Sequence, residues 1–243
     1  MLVLVGLGLA SEKDLTIQGI EALNACTEVY LEAYTGSAPD LDIQKLERTI
    51  GKTVALLGRG EVESTLLIEL AKKKRVGLIV VGDPLCATTH EDLQLEARAA
   101  KIGVRVIHNA SILSAIGEVG LQMYKFGKTI SIPFWQDTFK PTSFLDILEQ
   151  NRSIDAHTLV LLDLDVAKNT FMQVSEALER LLLDKRVTHK TKIVVVSRLG
   201  SAHQKIVYAP ISVLMKKRFI GPNALIIPGT LHFREEESLE AWA

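Results

Sequence analysis

The sequence predicts an α/β protein of two domains, with a mainly parallel sheet in the first domain and a mixed sheet in the second. Through the first 110 residues, short runs of Val, Ile and Leu alternate with amphipathic stretches, which is typical of parallel strands joined by helices. A second alternation follows, and it contains one connection that is too short for a parallel crossover. We therefore predict domains at 1–110 and 111–243, with a cleft between them.

The first domain is predicted to contain five strands connected by helices. The strands are expected at Leu2–Val5, Glu28–Glu32, Thr53–Leu57, Gly77–Val81 and Val104–His108. The helices are expected at Leu15–Cys26, Asp42–Ile50, Glu63–Lys73 and Glu91–Lys101, where apolar residues recur at spacings of three and four. The last three strands are almost continuously Val, Ile and Leu, which indicates burial on both faces of the sheet.

The second domain is predicted to begin with a connecting helix at Ser111–Val119 and an irregular aromatic linker that runs to Pro141. The strands are expected at Thr129–Ile132, His157–Leu162, Lys192–Ser197, Lys205–Tyr208 and Leu225–Ile227. The helices are expected at Ser143–Asn151, Asn169–Leu183, Ile211–Arg218 and Glu235–Trp242. Only a turn with a glycine separates the strands that begin at Lys192 and Lys205, so these two are predicted to pair antiparallel.

The composition is that of a folded globular chain and excludes several classes of protein. Of the 243 residues, 47% are hydrophobic and 23% are charged, which excludes a disordered or coiled-coil protein. The 28 Lys and Arg balance 29 Asp and Glu, so no excess of positive charge favours a nucleic-acid partner. No apolar run approaches the roughly 20 residues that span a bilayer, and two cysteines are too few for a disulfide framework. We expect a cytoplasmic protein that binds neither nucleic acid nor membrane.

Residues that follow strands are the first candidates for ligand binding, because ligands of open α/β sheets bind at the carboxyl ends of the strands. The first strand leads into Gly6-Leu7-Gly8-Leu9, whose glycines would allow a ligand to approach the backbone closely. This segment lacks the third glycine of the dinucleotide fingerprint, although Glu32 stands where an NAD site has its acidic residue. A nicotinamide-dependent oxidoreductase is therefore one alternative, and a tight turn that needs small residues is the other.

A second group of candidates follows the fourth strand, between Gly82 and His90. Asp83 is predicted to be a carboxylate at the ligand edge, with a turn-forming Asp before proline as the alternative. Thr89 is expected to cap the next helix, with Asp92 as its capping-box partner. Cys86 has no cation beside it, so we predict a small packing residue rather than a nucleophile.

The usual catalytic and metal-binding patterns are missing from the sequence. The six histidines show no HExxH or HxxxH spacing, so no metal site is predicted. Neither a GxSxG elbow nor a GxxxxGK[ST] loop occurs, which argues against a serine hydrolase or a P-loop enzyme.

Ser111-Ile112 is expected to open a helix whose free N–H groups either bind a carboxylate or are capped by Ser111. A non-catalytic partner-binding module remains a third class.

Several short motifs occur along the chain in a fixed order. They are Gly6-Leu7-Gly8-Leu9 with Asp14-Leu15-Thr16, Gly82-Asp83-Pro84-Leu85-Cys86-Ala87-Thr88-Thr89-His90, His108-Asn109-Ala110-Ser111-Ile112, Tyr124-Lys125-Phe126-Gly127-Lys128, Pro141-Thr142-Ser143-Phe144 and Ile227-Pro228-Gly229-Thr230-Leu231-His232. Together, and over essentially the whole chain, they resemble the diphthine synthase family of methyltransferases, which has the tetrapyrrole methylase fold. The end of the second motif, together with the fourth and fifth motifs, distinguishes this family from others of the same fold.

The resemblance implies an enzyme that binds S-adenosylmethionine between the two domains of a homodimer. The implied acceptor is the amino group of a 3-amino-3-carboxypropyl histidine on translation elongation factor 2. The compact length resembles archaeal members, which implies trimethylation to diphthine without the methyl ester of eukaryotic relatives. The implied cofactor contacts are Leu9, Asp83, Cys86, Ser111, Ile112, Leu162, Leu199 and Asn223. Another methyltransferase of the same fold is the nearest alternative.

The linker before Pro141 is rich in aromatic residues, although the whole chain is only 5% aromatic. Aromatic residues in such a position either plug the junction between domains or line an entrance for substrate. We predict that Trp135, Phe139 and Thr142 lie at the substrate entrance. The ring face of Trp135 would then be available to a methylated ammonium group.

Overall fold

In a computed structural model that describes all 243 residues, the chain divides into two compact units. Unit 1 comprises Met1–Ala115 with the short segments Val166–Lys168 and Gly200–Ala202. Unit 2 comprises Ile116–Asp165, Asn169–Leu199 and His203–Ala243. The first division follows Ala115, inside the predicted connecting helix, whereas the sequence places the boundary at residue 110.

Unit 1 is built on a five-stranded parallel sheet. Its strands are β1 (Leu2–Gly6), β2 (Glu28–Glu32), β3 (Val54–Leu57), β4 (Val76–Val80) and β5 (Val104–Ile107). Its helices are α1 (Ile17–Asn24), α2 (Ile43–Ile50), α3 (Arg59–Val62), α4 (Leu66–Lys73), α5 (Glu91–Ala99) and α6 (Ile112–Ala115). The strand order is β3-β2-β4-β1-β5, and every pair is parallel. The predicted parallel sheet is confirmed.

Strand β1 shows why this sheet is covered on both faces. Successive side chains of a strand point to opposite faces, and all five residues of β1 are buried. Val3 and Val5 pack into a core that includes residues of α1 and α2. Leu2 and Leu4 pack into a second core, with residues of α4 and α5. The continuous apolar run therefore supplies two hydrophobic cores at once.

Two local predictions for unit 1 were wrong. The helix expected at Glu63–Lys73 begins only at Leu66, as α4, and the short helix α3 before it was not predicted. Thr89 is not the cap of α5, which begins at Glu91 and has His90 as its N-cap residue without a side-chain hydrogen bond. The His90 side chain is thus not used for capping.

Unit 2 is built on a five-stranded mixed sheet and a small hairpin. Its strands are β6 (Ile130–Ile132), β7 (Thr158–Leu162), β8 (Leu164–Asp165), β9 (Thr170–Phe171), β10 (Lys192–Ser197), β11 (Lys205–Pro210) and β12 (Asn223–Ile227). Its helices are α7 (Ser143–Ser153), α8 (Val174–Leu181), α9 (Ile211–Leu214) and α10 (Phe233–Glu240). The order is β11-β10-β12-β7-β6, in which only β6 and β7 are parallel. The predicted antiparallel pairing of β10 with β11 is confirmed.

The helix expected at Asn169–Leu183 was wrong over its first residues. Asn169 has a positive φ of 49° and lies in the turn between β8 and β9, which pair antiparallel. Helix α8 begins only at Val174 and packs Ala177 and Leu178 into the core of unit 2. An Asn tolerates the left-handed conformation that the turn needs, so it marks the hairpin rather than the helix.

The helices of both units are short. The longest, α7, has 11 residues. None of the helices combines the length and the apolar character that would be needed to cross a membrane.

Candidate cofactor site

The carboxyl ends of β1 and β4 are tied together by backbone hydrogen bonds. The Gly8 amide donates to the Gly82 carbonyl at 3.2 Å, and the Gly82 amide donates to the Gly8 carbonyl at 2.8 Å. A Cβ on Gly6 would lie 2.6 Å from the Gly82 carbonyl oxygen and 2.7 Å from the Cβ of Asn109. Gly8 has a positive φ, and its Cβ would lie 2.5 Å from the Cβ of Asp14. Protein atoms therefore account for both glycines, as the tight-turn alternative predicts.

Asn109 connects three strand ends, a role that its position in the sequence does not predict. Its side-chain amide donates to the carbonyls of Gly6 and Asp14, each at 2.9 Å. Its backbone amide donates to Oδ2 of Asp83 at 3.1 Å. The signal in the sequence is a single Asn directly after a strand, a residue with two side-chain donors and an acceptor for neighbouring loops.

Asp83 is buried, and its carboxylate is held by donors from the protein. Oδ1 accepts from the Leu85 amide at 2.9 Å, and Oδ2 accepts from Nδ1 of His108 at 2.8 Å as well as from Asn109. Burial alone would raise the pKa of Asp83, but these donors together hold it below its ordinary value. Asp83 is therefore ionised at neutral pH and fixes the loop after β4 against the end of β5. Its predicted contact with a cofactor stays a prediction.

The other predicted contacts of unit 1 lie in the same loops. Cys86 is half-buried, and burial raises the pKa of its thiol, so the thiol stays protonated near neutral pH and is not an activated nucleophile. Ser111 is buried, and its amide donates to Oγ of Ser114 at 3.1 Å. Leu9 and Ile112 are half-buried and present apolar surface. These loops combine apolar side chains with backbone polar groups, as small-molecule sites usually do.

The predicted contacts of unit 2 lie at the ends of three strands. Leu162 ends β7, Leu199 follows β10, and Asn223 begins β12 opposite Ser197. Asn223 is 9% exposed, and neither its side-chain oxygen nor its nitrogen has a hydrogen-bond partner. A buried amide without partners is costly, and a ligand with a donor and an acceptor would remove this cost. S-adenosylmethionine fits this requirement, because its adenine and amino-acid groups offer both donors and acceptors.

The three residues predicted at a substrate entrance differ in their surroundings. Phe139 is 60% exposed, and Thr142 is also exposed. Trp135 is half-buried, its indole N–H donates to the Pro141 carbonyl at 3.3 Å, and the Arg180 guanidinium lies 4.7 Å from its ring centre. A cation of the protein thus already occupies one face of the Trp135 ring. The predicted contact with a methylated ammonium group would need the other face.

Two of the motifs meet in a buried charged network in unit 2. His157 and Glu235 are almost completely buried, and Nε2 of His157 lies 2.9 Å from the Glu235 carboxylate. Lys125 binds the same carboxylate at 2.8 Å and donates to the Thr230 carbonyl at 2.6 Å. The Gly229 amide donates to Nδ1 of His157 at 2.9 Å. These parts of the Tyr124–Lys128 and Ile227–His232 motifs therefore hold the fold together.

Known proteins resemble this chain over most of its length. The family model for tetrapyrrole (corrin/porphyrin) methylases matches residues 1–214. The diphthine synthase of Methanothermobacter thermautotrophicus is 41% identical over 248 aligned residues, which cover 98% of this chain and 94% of the relative. The diphthine methyl ester synthase of Schizosaccharomyces pombe is 39% identical over 269 aligned residues, which cover 100% of this chain and 94% of the relative.

The fold is also shared with a solved structure. The crystal structure of a diphthine synthase superimposes with a TM-score of 0.90 and 37% sequence identity, and it covers 100% of this chain and 95% of that chain. Both α/β units, with their parallel and mixed sheets, lie within this match. The chain therefore belongs to the tetrapyrrole methylase family and, within that family, to the diphthine synthases.

Proposed function

We propose that this protein transfers three methyl groups from S-adenosylmethionine to the amino group of a 3-amino-3-carboxypropyl histidine on translation elongation factor 2, which yields diphthine. The observation that carries the proposal is the 41% identity to a diphthine synthase over 98% of the chain.

The protein would act in the cytoplasm as a homodimer. Its two free cysteines suit a reducing compartment, and its net charge of −1 suits a protein substrate rather than a nucleic acid.

The length of the chain supports three methyl groups rather than the further methyl ester. The alignment with the archaeal diphthine synthase takes 248 positions, whereas the alignment with the fission-yeast methyl ester synthase takes 269. The yeast enzyme thus has additional segments for which this chain has no counterpart. The archaeal relative is therefore the better guide to the product.

The reaction needs an unprotonated amine as the nucleophile. An α-amino group has a pKa of about 8, so its neutral form is accessible near neutral pH without a strong dedicated base. When bound, S-adenosylmethionine supplies an electrophilic methyl group on a sulfonium. The contribution of the protein is then to bind and orient the reactants and to exclude water. We assign no general base.

We propose cofactor contacts from both units, and Asn223 is the most specific of them. The apolar contacts are Leu9, Ile112, Leu162 and Leu199, and the polar ones in unit 1 are Asp83, Cys86 and Ser111. Asn223 has an unpartnered buried amide, whereas the Asp83 carboxylate already has three donors. We infer that Asn223 binds the cofactor directly and that Asp83 acts mainly by shaping its loop. The substrate entrance is proposed at Trp135, Phe139 and Thr142.

Thermal stabilisation by ligands tests the class of enzyme. A ligand at 100 times its dissociation constant adds about 2.7 kcal/mol to the free energy of unfolding. We expect S-adenosylhomocysteine to raise the melting temperature and NAD to leave it unchanged. Stabilisation by NAD alone would favour the oxidoreductase alternative, and stabilisation by neither would favour a binding module.

A further inference from the structure

Unit 1 contains a cavity that shares no lining residue with the proposed cofactor contacts. Its volume is about 360 Å³, within the range of sites for small molecules. Tyr34 reaches it from the loop after β2, Glu63 from the end of α3, and His90 from the residue before α5. The cavity therefore lies near the same carboxyl edge of the sheet, on the side of β2 and β3.

His90 lines this cavity with an unused hydrogen-bond acceptor. The side chain is 1% exposed, and its Nδ1 lies 3.3 Å from the Pro84 carbonyl. Because a carbonyl can only accept, Nδ1 carries the proton, and Nε2 of the neutral ring has a free lone pair. Nε2 is buried without a partner. Burial lowers the pKa of His90, which keeps the ring neutral at pH 7.

Tyr34 adds a second unused polar atom at the same cavity. Its buried hydroxyl lies beside the Thr89 side chain without a well-formed hydrogen bond to it, and its ring meets the His90 ring edge-on with the centroids 6.1 Å apart. Burial raises the pKa of Tyr34, so the hydroxyl stays neutral. Two buried polar atoms without partners at one cavity indicate a ligand that completes their hydrogen bonds.

The charges around the cavity favour a ligand with an amino group. Glu63, Asp92 and Glu96 line it with three carboxylates. One compensating cation is Arg59, whose Nε lies 3.5 Å from Glu63 and whose guanidinium lies 5.2 Å from the Tyr34 ring centre. The lining is therefore net negative, which disfavours an anion, and the N–H bonds of a neutral amine match the free acceptors.

We propose that this cavity receives the amino group of the acceptor side chain, with Nε2 of His90 and the hydroxyl oxygen of Tyr34 accepting its two N–H bonds. The proposal rests on the function proposed above. The loop 83–90 carries Asp83 and Cys86 at one end and His90 at the other, so one short segment would position both reactants. His90 and Tyr34 then hold the nitrogen through its N–H bonds and leave its lone pair free.

Hydrogen bonds from the amine to His90 and Tyr34 would affect the three successive methyl transfers differently. In each step the nitrogen lone pair forms the new N–C bond, the C–S electron pair stays on sulfur, and the resulting ammonium releases a proton to solvent before the next step. The neutral amine has two N–H bonds before the first transfer, one before the second and none before the third. Hydrogen bonds to His90 and Tyr34 can therefore assist the first two transfers but not the third.

The decisive variant is Tyr34→Phe, which removes one unpartnered oxygen and leaves the ring. Time-resolved mass spectrometry, with enzyme in excess over elongation factor that carries the unmethylated acceptor, gives the rate of each transfer. We expect the first transfer to slow about tenfold, as for one lost hydrogen bond, with the third transfer and the affinity for S-adenosylhomocysteine unchanged. The matched control is Tyr124→Phe, since Tyr124 is fully exposed, and it should behave as the wild type.

A second variant, His90→Leu, tests the other acceptor. It should slow the first two transfers and leave the third unchanged. Wild-type rates for all three transfers in folded Tyr34→Phe would overturn the proposal, and so would an equal slowing of all three. A wild-type enzyme that transfers no methyl group would instead contradict the proposed function itself, so the two failures are distinguishable.

Discussion

Asn109 is a single residue on which the geometry of the cofactor edge depends. Its side-chain amide reaches the carbonyls of Gly6, at the end of β1, and of Asp14, and its backbone amide reaches Asp83. The Asn109 side chain thus satisfies a carbonyl in each of two separate segments. A change at this residue should therefore affect folding and cofactor binding together.

Asn109→Ala tests this role. Loss of two hydrogen bonds to part-buried carbonyls should lower the free energy of unfolding by about 1–3 kcal/mol, and it should weaken S-adenosylhomocysteine binding. Urea denaturation and calorimetry measure the two effects. The control is Asn24→Ala, which removes one hydrogen bond to the Ile50 carbonyl at a helix end and should leave the affinity unchanged. Unchanged ligand affinity in Asn109→Ala would contradict the proposed link.

Asn223→Leu separates ligand binding from stability. Because the buried amide has no partner in the protein, its replacement should leave the free energy of unfolding unchanged or raise it. The affinity for S-adenosylhomocysteine should fall by about 1–3 kcal/mol. The control is Asn151→Leu, since the Asn151 amide is bonded to Lys128 and Thr158 and its loss should destabilise the fold instead. Wild-type affinity in Asn223→Leu would remove Asn223 from the cofactor contacts.

At the level of elements, the Tyr124–Lys128 and Ile227–His232 motifs take part in the hydrogen-bond network around helix α10. Glu235, in the first turn of α10, is bound by the backbone amides of Gln122 and His232, by Lys125 and by His157. Burial alone would raise the pKa of Glu235, but these donors lower it to about 2. The carboxylate therefore fastens α10 to the segment before β6 and to β7.

The pH dependence of stability follows from this lowered pKa. A carboxyl group whose folded pKa is below its unfolded value stabilises the fold above the unfolded pKa of 4.5, and this stabilisation is lost as the pH falls toward about 2. Glu235→Gln should lower the free energy of unfolding by about 3 kcal/mol at pH 7 and flatten its dependence on pH between 4.5 and 2. Urea denaturation across that range measures both. Glu236→Gln, at the exposed neighbouring residue, should change neither the free energy of unfolding at pH 7 nor its dependence on pH. The proposed role of Glu235 is wrong if the stability of Glu235→Gln falls between pH 4.5 and 2 as steeply as that of the wild type.

The loop before Pro141 allows a test of the proposed entrance. Trp135→Ala should lower the rate of methyl transfer to the elongation factor and leave partly methylated product, while the affinity for S-adenosylhomocysteine stays near that of the wild type. The variant also loses the contact with Arg180, worth about 0.5–2 kcal/mol. Trp242→Ala is the control, because its indole N–H also donates to a carbonyl, that of Val119, outside this loop. Complete trimethylation by Trp135→Ala at the wild-type rate, with enzyme in excess over the elongation factor, would leave Trp135 as a packing residue only.

The elements also show how far a sequence can be interpreted without a structure. Buried strands such as β10, at Lys192–Ser197, are predictable because their apolar runs are local. The start of α4 at Leu66 is not, since Glu63, Ser64 and Thr65 lie outside the helix although the sequence places them in it. Asp83 is predictable as a strand-end residue, although its partners His108 and Asn109 depend on which strands are neighbours.

The contacts that escape prediction are those between distant parts of the chain. Lys125 and Glu235 are 110 positions apart, and Asn109 and Gly6 are 103 apart. Nothing in either local segment reveals these hydrogen bonds, because they exist only once the topology is fixed. His90 was likewise hidden behind the expected cap at Thr89, so its free Nε2 became visible only in the folded unit.

For the whole molecule, the central claim is that this chain makes diphthine. The most direct measurement is intact-mass spectrometry of elongation factor 2 that carries the unmethylated 3-amino-3-carboxypropyl histidine, after incubation with the protein and S-adenosylmethionine. We predict the addition of three methyl groups to that histidine and none to an elongation factor that lacks the modified side chain. A folded protein that stabilises on binding S-adenosylhomocysteine yet adds no methyl group to this acceptor would contradict the claim.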